Sequence, residues 1–273
     1  MNVQRGELVA VLPVAGLGSR LRPLTDVCAK ELLPVGRKPA FDWIVEEIRA
    51  AGIETAVLVV SPEKVDVFRR RYGAGSNGMT FDYVVQPEMR GLGDALACAE
   101  NLLEGRDLLL ALGDAIFEES EPGAVARRVL DADGEIVIAV QEVLREQTGR
   151  YGIVRPKTSA LQDPFAIDGV VEKPDPSAAP GRHAVCARYR LPNSIFDALR
   201  ACPMRHGEEL PVTGAIDDLL RSGIAGCAVP LHPEERRHDI GGFDTYFRAF
   251  LTFALDDDTY GAALRTSFGD ALS

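Results

Sequence analysis

The sequence lacks closely spaced cysteines. Its five cysteines stand at positions 28, 98, 186, 202 and 227, so no Cys-x-x-Cys pair is present to bind zinc or to exchange thiols. Because 46% of its residues are hydrophobic, the chain can build a core and does not depend on disulfides to hold a small fold together. We therefore expect a reduced, cytoplasmic protein.

The chain also lacks a block of basic residues and a long apolar run. Its 273 residues contain 30 Lys and Arg against 41 Asp and Glu, a formal charge of −11. Sequence-independent binding of nucleic acid needs clustered positive charge, so we expect no nucleic-acid partner. Spanning a bilayer takes roughly 20 apolar residues. The mostly apolar stretch at residues 8–17 is shorter and is interrupted by Pro13, so we interpret it as a buried strand and expect no membrane partner.

Short apolar runs alternate with amphipathic segments through the first half of the chain. This order predicts an α/β fold with a Rossmann-like, mostly parallel mixed sheet flanked by helices, whose ligands bind at the carboxyl ends of the strands. The predicted strands are residues 8–14, 56–60, 81–85, 108–112, 136–143, 151–154, 169–171 and 184–191. The predicted helices are residues 39–51, 62–72, 92–103, 193–200, 213–222 and 243–255, followed by a short final helix.

A glycine-rich segment follows the first predicted strand. Ala15, Gly16 and Gly18 place backbone N–H groups where they can approach an anion, and Arg20 can neutralise phosphate charge. The segment is not a P-loop, because no Gly-Lys-Ser/Thr follows. The third glycine of the dinucleotide-binding pattern is absent, which argues against a Rossmann oxidoreductase. Gly-x-Gly alone is more typical of an ordinary tight turn than of an anion site.

Two longer segments are more diagnostic than Gly-x-Gly alone: GLGSRLRPLT at residues 16–25 and KELLPVGRKP at residues 30–39. Together they resemble the signature of the sugar-phosphate nucleotidyltransferases, and most closely that of the bacterial UTP:glucose-1-phosphate uridylyltransferases. The resemblance implies the nucleotidyltransferase fold and a reaction that joins a sugar 1-phosphate to a nucleoside triphosphate and releases pyrophosphate. UTP and glucose 1-phosphate are the implied substrates. The family residues that hold the triphosphate and the transferring phosphoryl group match Arg20 and Lys30.

Two further motifs match the nucleotide and metal sites of that family. Gln86, Gly91 and Gly93 resemble the base-recognition segment, in which a glutamine amide offers a donor and an acceptor to a pyrimidine. Asp114 and Asp239 match the carboxylates that bind Mg²⁺ in the family, a set that phosphate oxygens and water can complete to an octahedron. We interpret the neighbouring His238 as structural.

The sugar-phosphate side is implied by motifs in the second half. Tyr151 and Gly152 lie in an Arg-Tyr-Gly motif, and Glu172 and Lys173 lie in Val-Glu-Lys-Pro, where the glutamate binds sugar hydroxyls and the lysine binds the acceptor phosphate. Arg188, in an Arg-Tyr-x-Leu motif, and the segment 207–209 also match. The resemblance implies one domain over residues 1–273, with a nucleotide-binding part at about 1–130, a sugar-phosphate-binding part at about 131–242 and a helical tail at about 243–273. It also implies a homo-oligomer, either a dimer or a tetramer.

Departures from the family pattern leave alternatives open. Pro211 and Gly214 replace polar residues beside the sugar pocket, Asp26 replaces a lysine, Gly113 replaces a proline and Ala187 replaces a glycine. Another nucleotide, another hexose or a cyclitol 1-phosphate is therefore an alternative substrate. A catalytically inactive subunit that binds nucleotide sugars is a second alternative, although Arg20, Lys30, Asp114, Lys173 and Asp239 are all present. A metal-dependent glycosyltransferase is disfavoured, because no Asp-x-Asp element follows Asp114.

Overall fold

The computed structural model describes residues 8–159, 162–202 and 209–272, and the side chains up to residue 267. Its strands are β1 Val9–Pro13, β2 Pro34–Val35, β3 Lys38–Pro39, β4 Thr55–Val60, β5 Gly75–Ser76, β6 Met79–Val85, β7 Leu108–Ala111, β8 Ala115–Glu118, β9 Ile136–Glu142, β10 Gly152–Pro156, β11 Phe165–Glu172, β12 His183–Leu191, β13 Gly226–Pro230 and β14 Arg236–Asp239. Its helices are α1 Ala40–Ala50, α2 Val65–Tyr72, α3 Leu92–Leu103, α4 Ala124–Asp131, α5 Ile195–Ala201, α6 Val212–Arg221, α7 Phe243–Leu255 and α8 Gly261–Leu272.

A ten-stranded mixed sheet forms the centre of the molecule, in the order β10-β11-β13-β9-β12-β7-β1-β4-β6-β5. Strands β7, β1, β4 and β6 are parallel, with Val11 paired to Val57 on one side and to Leu110 on the other. Helical crossovers connect these strands in the sequence, as parallel pairing requires. Their carboxyl ends therefore meet at one edge, as the alternating pattern predicted.

The second half makes the sheet mixed, as predicted, because most of its strand pairs are antiparallel. Strand β12 is antiparallel to both β7 and β9, β10 is antiparallel to β11, and β11 is antiparallel to β13. Within the described ranges, only β13 and β9 are parallel in this half. The described residues between β9 and β12 contain no α-helix. Without helical crossovers, the strands here pair mostly in the antiparallel arrangement.

Two hydrophobic clusters cover the two faces of the sheet. Helices α1, α2, α4 and α7 pack in one cluster, and α3, α5 and α6 pack in the other. The side chains of β1 alternate between them: Ala10 and Leu12 join the first, and Val9 and Val11 join the second. A strand that is buried on both faces consists of consecutive apolar residues, which explains why residues 8–14 carry no polar side chain.

A small ribbon outside the main sheet joins distant parts of the chain. Strand β8 pairs antiparallel with β14, so Asp239 lies opposite Ala115. The backbone N–H of Ile240 also donates to the carbonyl oxygen of Asp114 at 2.9 Å. The sequence analysis predicted neither strand of this ribbon, nor β13 and α4, whereas it placed α7 with the bounds that the structure has.

None of the helices in the described ranges is long and apolar enough to cross a membrane.

Candidate active site

The loop between β1 and the short 3₁₀ helix Ser19–Leu21 forms one wall of a cavity of about 400 Å³. Gly18 has a φ of 66°, and the Thr25 hydroxyl donates to its carbonyl oxygen at 2.9 Å. A Cβ added at Gly18 would lie 2.9 Å from the Thr25 methyl carbon and 3.3 Å from the Cβ of Lys30. Glycine is therefore required at residue 18 by both backbone conformation and packing. The residues that line this cavity include five of the predicted nucleotide-binding residues, Ala15, Gly16, Gly18, Gln86 and Gly91, and two of the predicted catalytic residues, Lys30 and Asp114.

Lys30 forms an ion pair with Asp114, and both residues line the cavity. The Lys30 ammonium lies 2.5 Å from Asp114 Oδ2, and the side chains are 13% and 29% exposed. Burial alone would lower the pKa of Lys30, but the charges of Asp114, Glu31 and Asp239 outweigh it and raise that pKa. Burial alone would raise the pKa of Asp114, but Lys30 holds it below its usual value, with a smaller contribution from Arg237. Both groups are therefore charged at neutral pH.

The second predicted metal carboxylate lies beside the first. Asp239 Oδ1 accepts a hydrogen bond from the Gly241 N–H at 2.6 Å. A Cβ added at Gly241 would lie 2.7 Å from that oxygen and 2.8 Å from the Arg20 guanidinium. The ribbon thus brings Arg20, Asp114 and Asp239 together from three distant segments of the sequence.

Two carboxylates fit a magnesium ion that is bound together with substrate phosphates, since Mg²⁺ commonly keeps waters and takes one or two protein carboxylates. Among the described residues no group of three or more His, Cys, Asp or Glu side chains is arranged to hold a metal ion. The Lys30 ammonium lies 2.5 Å from Asp114 Oδ2, so this carboxylate already interacts with a cation. Asp114 and Asp239 are therefore the residues that would hold Mg²⁺.

Sequence analysis missed a buried lysine that fixes the glycine loop. Lys64 donates to the carbonyl oxygens of Val14 at 2.8 Å and of Gly16 at 2.5 Å, and to Glu31 Oε2 at 2.8 Å. Glu31 is fully buried and Lys64 is 9% exposed. Burial lowers the pKa of Lys64, and Glu31 opposes that shift. Lys64 could have been found from its position in the sequence. It follows β4, which is parallel to β1, so both strands end at the edge of the sheet where ligands bind.

The residues predicted to recognise the base contact one another. The Gln86 side-chain amide nitrogen donates to Asp94 Oδ2 at 2.8 Å and to the Gly91 carbonyl oxygen at 3.2 Å. Gly91 has a φ of 89°, and a Cβ there would lie 2.7 Å from the Cβ of Glu209. A Cβ at Gly93 would lie 2.6 Å from the Leu210 carbonyl oxygen. The two glycines thus let the segment 209–210 pack on the start of α3, at the rim of the cavity.

The predicted sugar-side residues also meet, on the strand-rich half. The Thr213 hydroxyl donates to Glu172 Oε2 at 2.9 Å, and a Cβ at Gly152 would lie 3.3 Å from the same oxygen. The Lys173 N–H donates to the Tyr151 carbonyl oxygen at 3.0 Å. The Lys173 ammonium lies 3.4 Å from Glu172 Oε1, and its side chain is 64% exposed. Gly207 and Glu208 of the predicted sugar loop lie outside the described residues.

The structure corrects the role expected for Arg188. Its guanidinium is fully buried and makes a bidentate pair with Glu47, at 2.8 and 2.6 Å, and donates to the Ala115 carbonyl oxygen at 3.0 Å. It also lies 4.8 Å from the centre of the Phe117 ring. The side chain therefore holds α1, β8 and β12 together and has no surface for a sugar phosphate. Tyr189, the next residue of the motif, is likewise buried.

Comparison with known proteins agrees with this geometry. The family model described as nucleotidyl transferase matches residues 9–254. A UTP–glucose-1-phosphate uridylyltransferase of Staphylococcus saprophyticus is 32% identical over 91% of this chain and 93% of its own length. A UDP-glucose pyrophosphorylase from Acinetobacter baumannii superposes with a TM-score of 0.85 at 26% identity, covering 97% of this chain and 99% of that one. A UTP-bound UGPase from the same organism gives 0.83 at 27%, covering 96% and 98%.

Proposed function

Since the chain belongs to the nucleotidyl transferase family, we propose that it transfers the uridylyl group of UTP to glucose 1-phosphate, forming UDP-glucose and releasing pyrophosphate. A phosphate oxygen of glucose 1-phosphate forms a bond to the α-phosphorus of UTP. The bond from that phosphorus to the bridging oxygen breaks, and pyrophosphate leaves with the electron pair. The observation that carries the proposal is the meeting of the glycine loop, Lys30, Asp114 and Asp239 at the carboxyl ends of β1 and β7.

The triphosphate side of the reaction falls to the glycine loop and two cations. We assign the backbone N–H groups of residues 15–18 and the side chains of Arg20 and Lys30 to the triphosphate. Catalysis of phosphoryl transfer depends mainly on positioning and on stabilising charge, so no protein nucleophile is needed. Asp114 and Asp239 would hold Mg²⁺, which when bound supplies positive charge to the phosphates. Lys30 can pass from Asp114 to a phosphate oxygen without becoming an unpaired buried charge.

We assign recognition of the base to Gln86. Its amide nitrogen already donates to Asp94 and Gly91, which leaves the carbonyl oxygen of the same amide to accept a hydrogen bond from the base. The imide N–H of uracil is such a donor, whereas cytosine has no N–H at that ring position. This arrangement favours UTP over CTP.

We assign recognition of glucose 1-phosphate to the elements around Gly152. Glu172, oriented by the Thr213 hydroxyl, can accept hydrogen bonds from sugar hydroxyls, and Lys173 can reach the phosphate. Gly152 leaves room beside Glu172 Oε2 that a Cβ would occupy. Thr213 and Gly214 belong to the segment in which Pro211 and Gly214 depart from the family pattern, so we assign preference among sugars to this segment. A cytoplasmic location and a homo-oligomer remain predictions.

The proposal is tested by measuring pyrophosphate release with Mg²⁺ for four nucleoside triphosphates and a panel of hexose and cyclitol 1-phosphates. We expect the highest kcat/KM with UTP and glucose 1-phosphate. Preference for another pair would refute the substrate assignment, and no turnover with any pair would refute the reaction. Lys30→Ala should lower kcat by about 100-fold or more, the usual effect of removing a group that stabilises transition-state charge. Lys157→Ala, at an exposed lysine away from the cavity, is the matched control.

A further inference from the structure

Arg237 lies on β14, two residues before the proposed metal ligand Asp239. Side chains alternate along a strand, so Arg237 and Asp239 lie on the same face of the ribbon. Their partners across the ribbon are Phe117 and Ala115. Arg236 and His238 lie on the opposite face, where the His238 ring contacts Phe253. Arg237 therefore shares the face of the ribbon that carries the metal carboxylate.

The Arg237 guanidinium lacks a carboxylate partner among the described residues. Its Nε is buried and makes no hydrogen bond, and its central carbon lies 5.3 Å from the centre of the Tyr151 ring. Lys30 pairs with Asp114 at 2.5 Å and Lys173 with Glu172 at 3.4 Å, so these two site cations are already neutralised. Leaving a buried charged donor without an acceptor is unfavourable, which points to an anion supplied from outside the chain.

Arg237 lies between the two halves of the site. Tyr151, which it contacts, accepts a hydrogen bond from the Lys173 N–H on the acceptor side. On the other side, Arg237 is two residues from Asp239 on β14, and both face the same side of the ribbon. A group placed there can reach an anion that lies between the sugar elements and the metal carboxylates.

The acceptor phosphate needs a cation that is less exposed than Lys173. That lysine is 64% exposed, so water screens its charge. A guanidinium presents several N–H donors in a planar fork that matches phosphate oxygens, and it remains charged at every relevant pH. We propose that Arg237 binds the phosphate of the sugar 1-phosphate and holds it next to the metal carboxylates. This inference rests on the proposed function and adds a residue that the sequence motifs did not single out.

The test compares three variants by steady-state kinetics with each substrate varied in turn. Arg237→Met keeps much of the side-chain length and removes the charge, and Arg237→Lys keeps the charge and removes the fork. We expect Arg237→Met to raise KM for glucose 1-phosphate by about 10-fold or more while KM for UTP changes less than about 3-fold, the range for losing a charge-assisted hydrogen bond. Arg237→Lys should restore part of the loss. Arg236→Met, an exposed neighbour on the opposite face, should leave both KM values unchanged.

Calorimetric binding of glucose 1-phosphate to each folded variant separates the outcomes. A KM for glucose 1-phosphate within 2-fold of wild type in Arg237→Met would overturn the proposal, as would equal increases in both KM values, which indicate general damage to the site. Failure of the proposed function would appear differently, as a wild-type protein that neither turns over nor binds glucose 1-phosphate. Thermal unfolding establishes that each variant is folded. If Arg237→Met does not fold, the KM values of Arg237→Lys decide the test.

Discussion

Replacing Lys64 with methionine removes the ammonium that holds the glycine loop while keeping an unbranched side chain of similar length. Three acceptors lose their donor: the carbonyl oxygens of Val14 and Gly16 and the carboxylate of Glu31. Glu31 is affected most, because it is fully buried and its Oε1 already has no hydrogen-bond partner. Breaking a buried ion pair from one side costs about 3–5 kcal/mol. Unfolding free energies of domains are about 5–15 kcal/mol, so the variant should be folded but much less stable.

The loss should depend on pH in a direction that the burial of Glu31 fixes. Burial raises the pKa of Glu31, and Lys64 opposes that rise. Without Lys64 the carboxyl folds in its protonated form, so folding takes up a proton. A raised pKa stabilises the folded state fully below the ordinary glutamate value of about 4.3, and this stabilisation is lost as pH rises through the folded-state pKa. The stability gap between the variant and wild type should therefore be larger at pH 8 than at pH 5.

Urea unfolding followed by the fluorescence of Trp43, the single tryptophan, measures these effects. A double-mutant cycle with Glu31→Gln should show a coupling of at least about 1.5 kcal/mol, because removing both charges leaves neither unpaired. UTP binding to folded Lys64→Met should weaken by about 10-fold or more, since the loop loses two anchors. Lys157→Met, at an exposed lysine, is the control. A Lys64→Met variant within 1 kcal/mol of wild type, or one with zero coupling to Glu31, would refute the role of Lys64.

Two further predictions concern buried charges. Arg188→Met and Glu47→Gln should each lower the unfolding free energy by about 3–5 kcal/mol, because each breaks a buried ion pair from one side. Each variant should change KM for glucose 1-phosphate less than about 3-fold, because the pair lies in the core. A large increase in KM for folded Arg188→Met would instead show that this arginine acts at the sugar site. Burial and the charge of Glu47 raise the pKa of Glu119 to about 7. The raised pKa stabilises the folded protein fully at pH values below the ordinary glutamate pKa, and this stabilisation is lost as pH rises through 7. The urea midpoint should accordingly fall between pH 5 and pH 8, and Glu119→Gln should flatten that fall; equal slopes would contradict the shift.

Sequence reasoning succeeded where local pattern decides the structure. The first half alternates strands and helices, and parallel strands with helical crossovers must end at one edge, so the glycine loop and Asp114 were predictable as neighbours. Ribbon β8–β14 was not predictable in the same way. Its strands have four residues each and pair across more than a hundred positions, so neither carries a periodic signal.

The error at Arg188 has a local physical cause. The register of β12 shifts between Val185 and Tyr189, and Ala187 within that bulge has a φ of 62°. Val185 and Tyr189 pack on the same face of the sheet, so the alternation of side chains continues through the shift. Arg188 therefore lies on the opposite face, against Glu47 of α1. The left-handed φ at residue 187 explains why the family pattern has glycine there, because this conformation costs an alanine about 1–2 kcal/mol. The motif predicted Arg188 for the sugar site, whereas its position on β12 directs the side chain into the core.

The basic residues of the site differ in the acceptors that surround them, and this difference, rather than their sequence motifs, indicates what each one does. Lys64 is buried with three acceptors from the chain, so it is fixed in place. Lys30 has one carboxylate at the cavity wall and can exchange it for phosphate. Arg237 has no carboxylate partner in the described part of the chain and gains most from an incoming anion. A polyanionic substrate should therefore displace the Lys30 pair and fill the Arg237 site without disturbing Lys64, which keeps the loop in its binding conformation before UTP arrives.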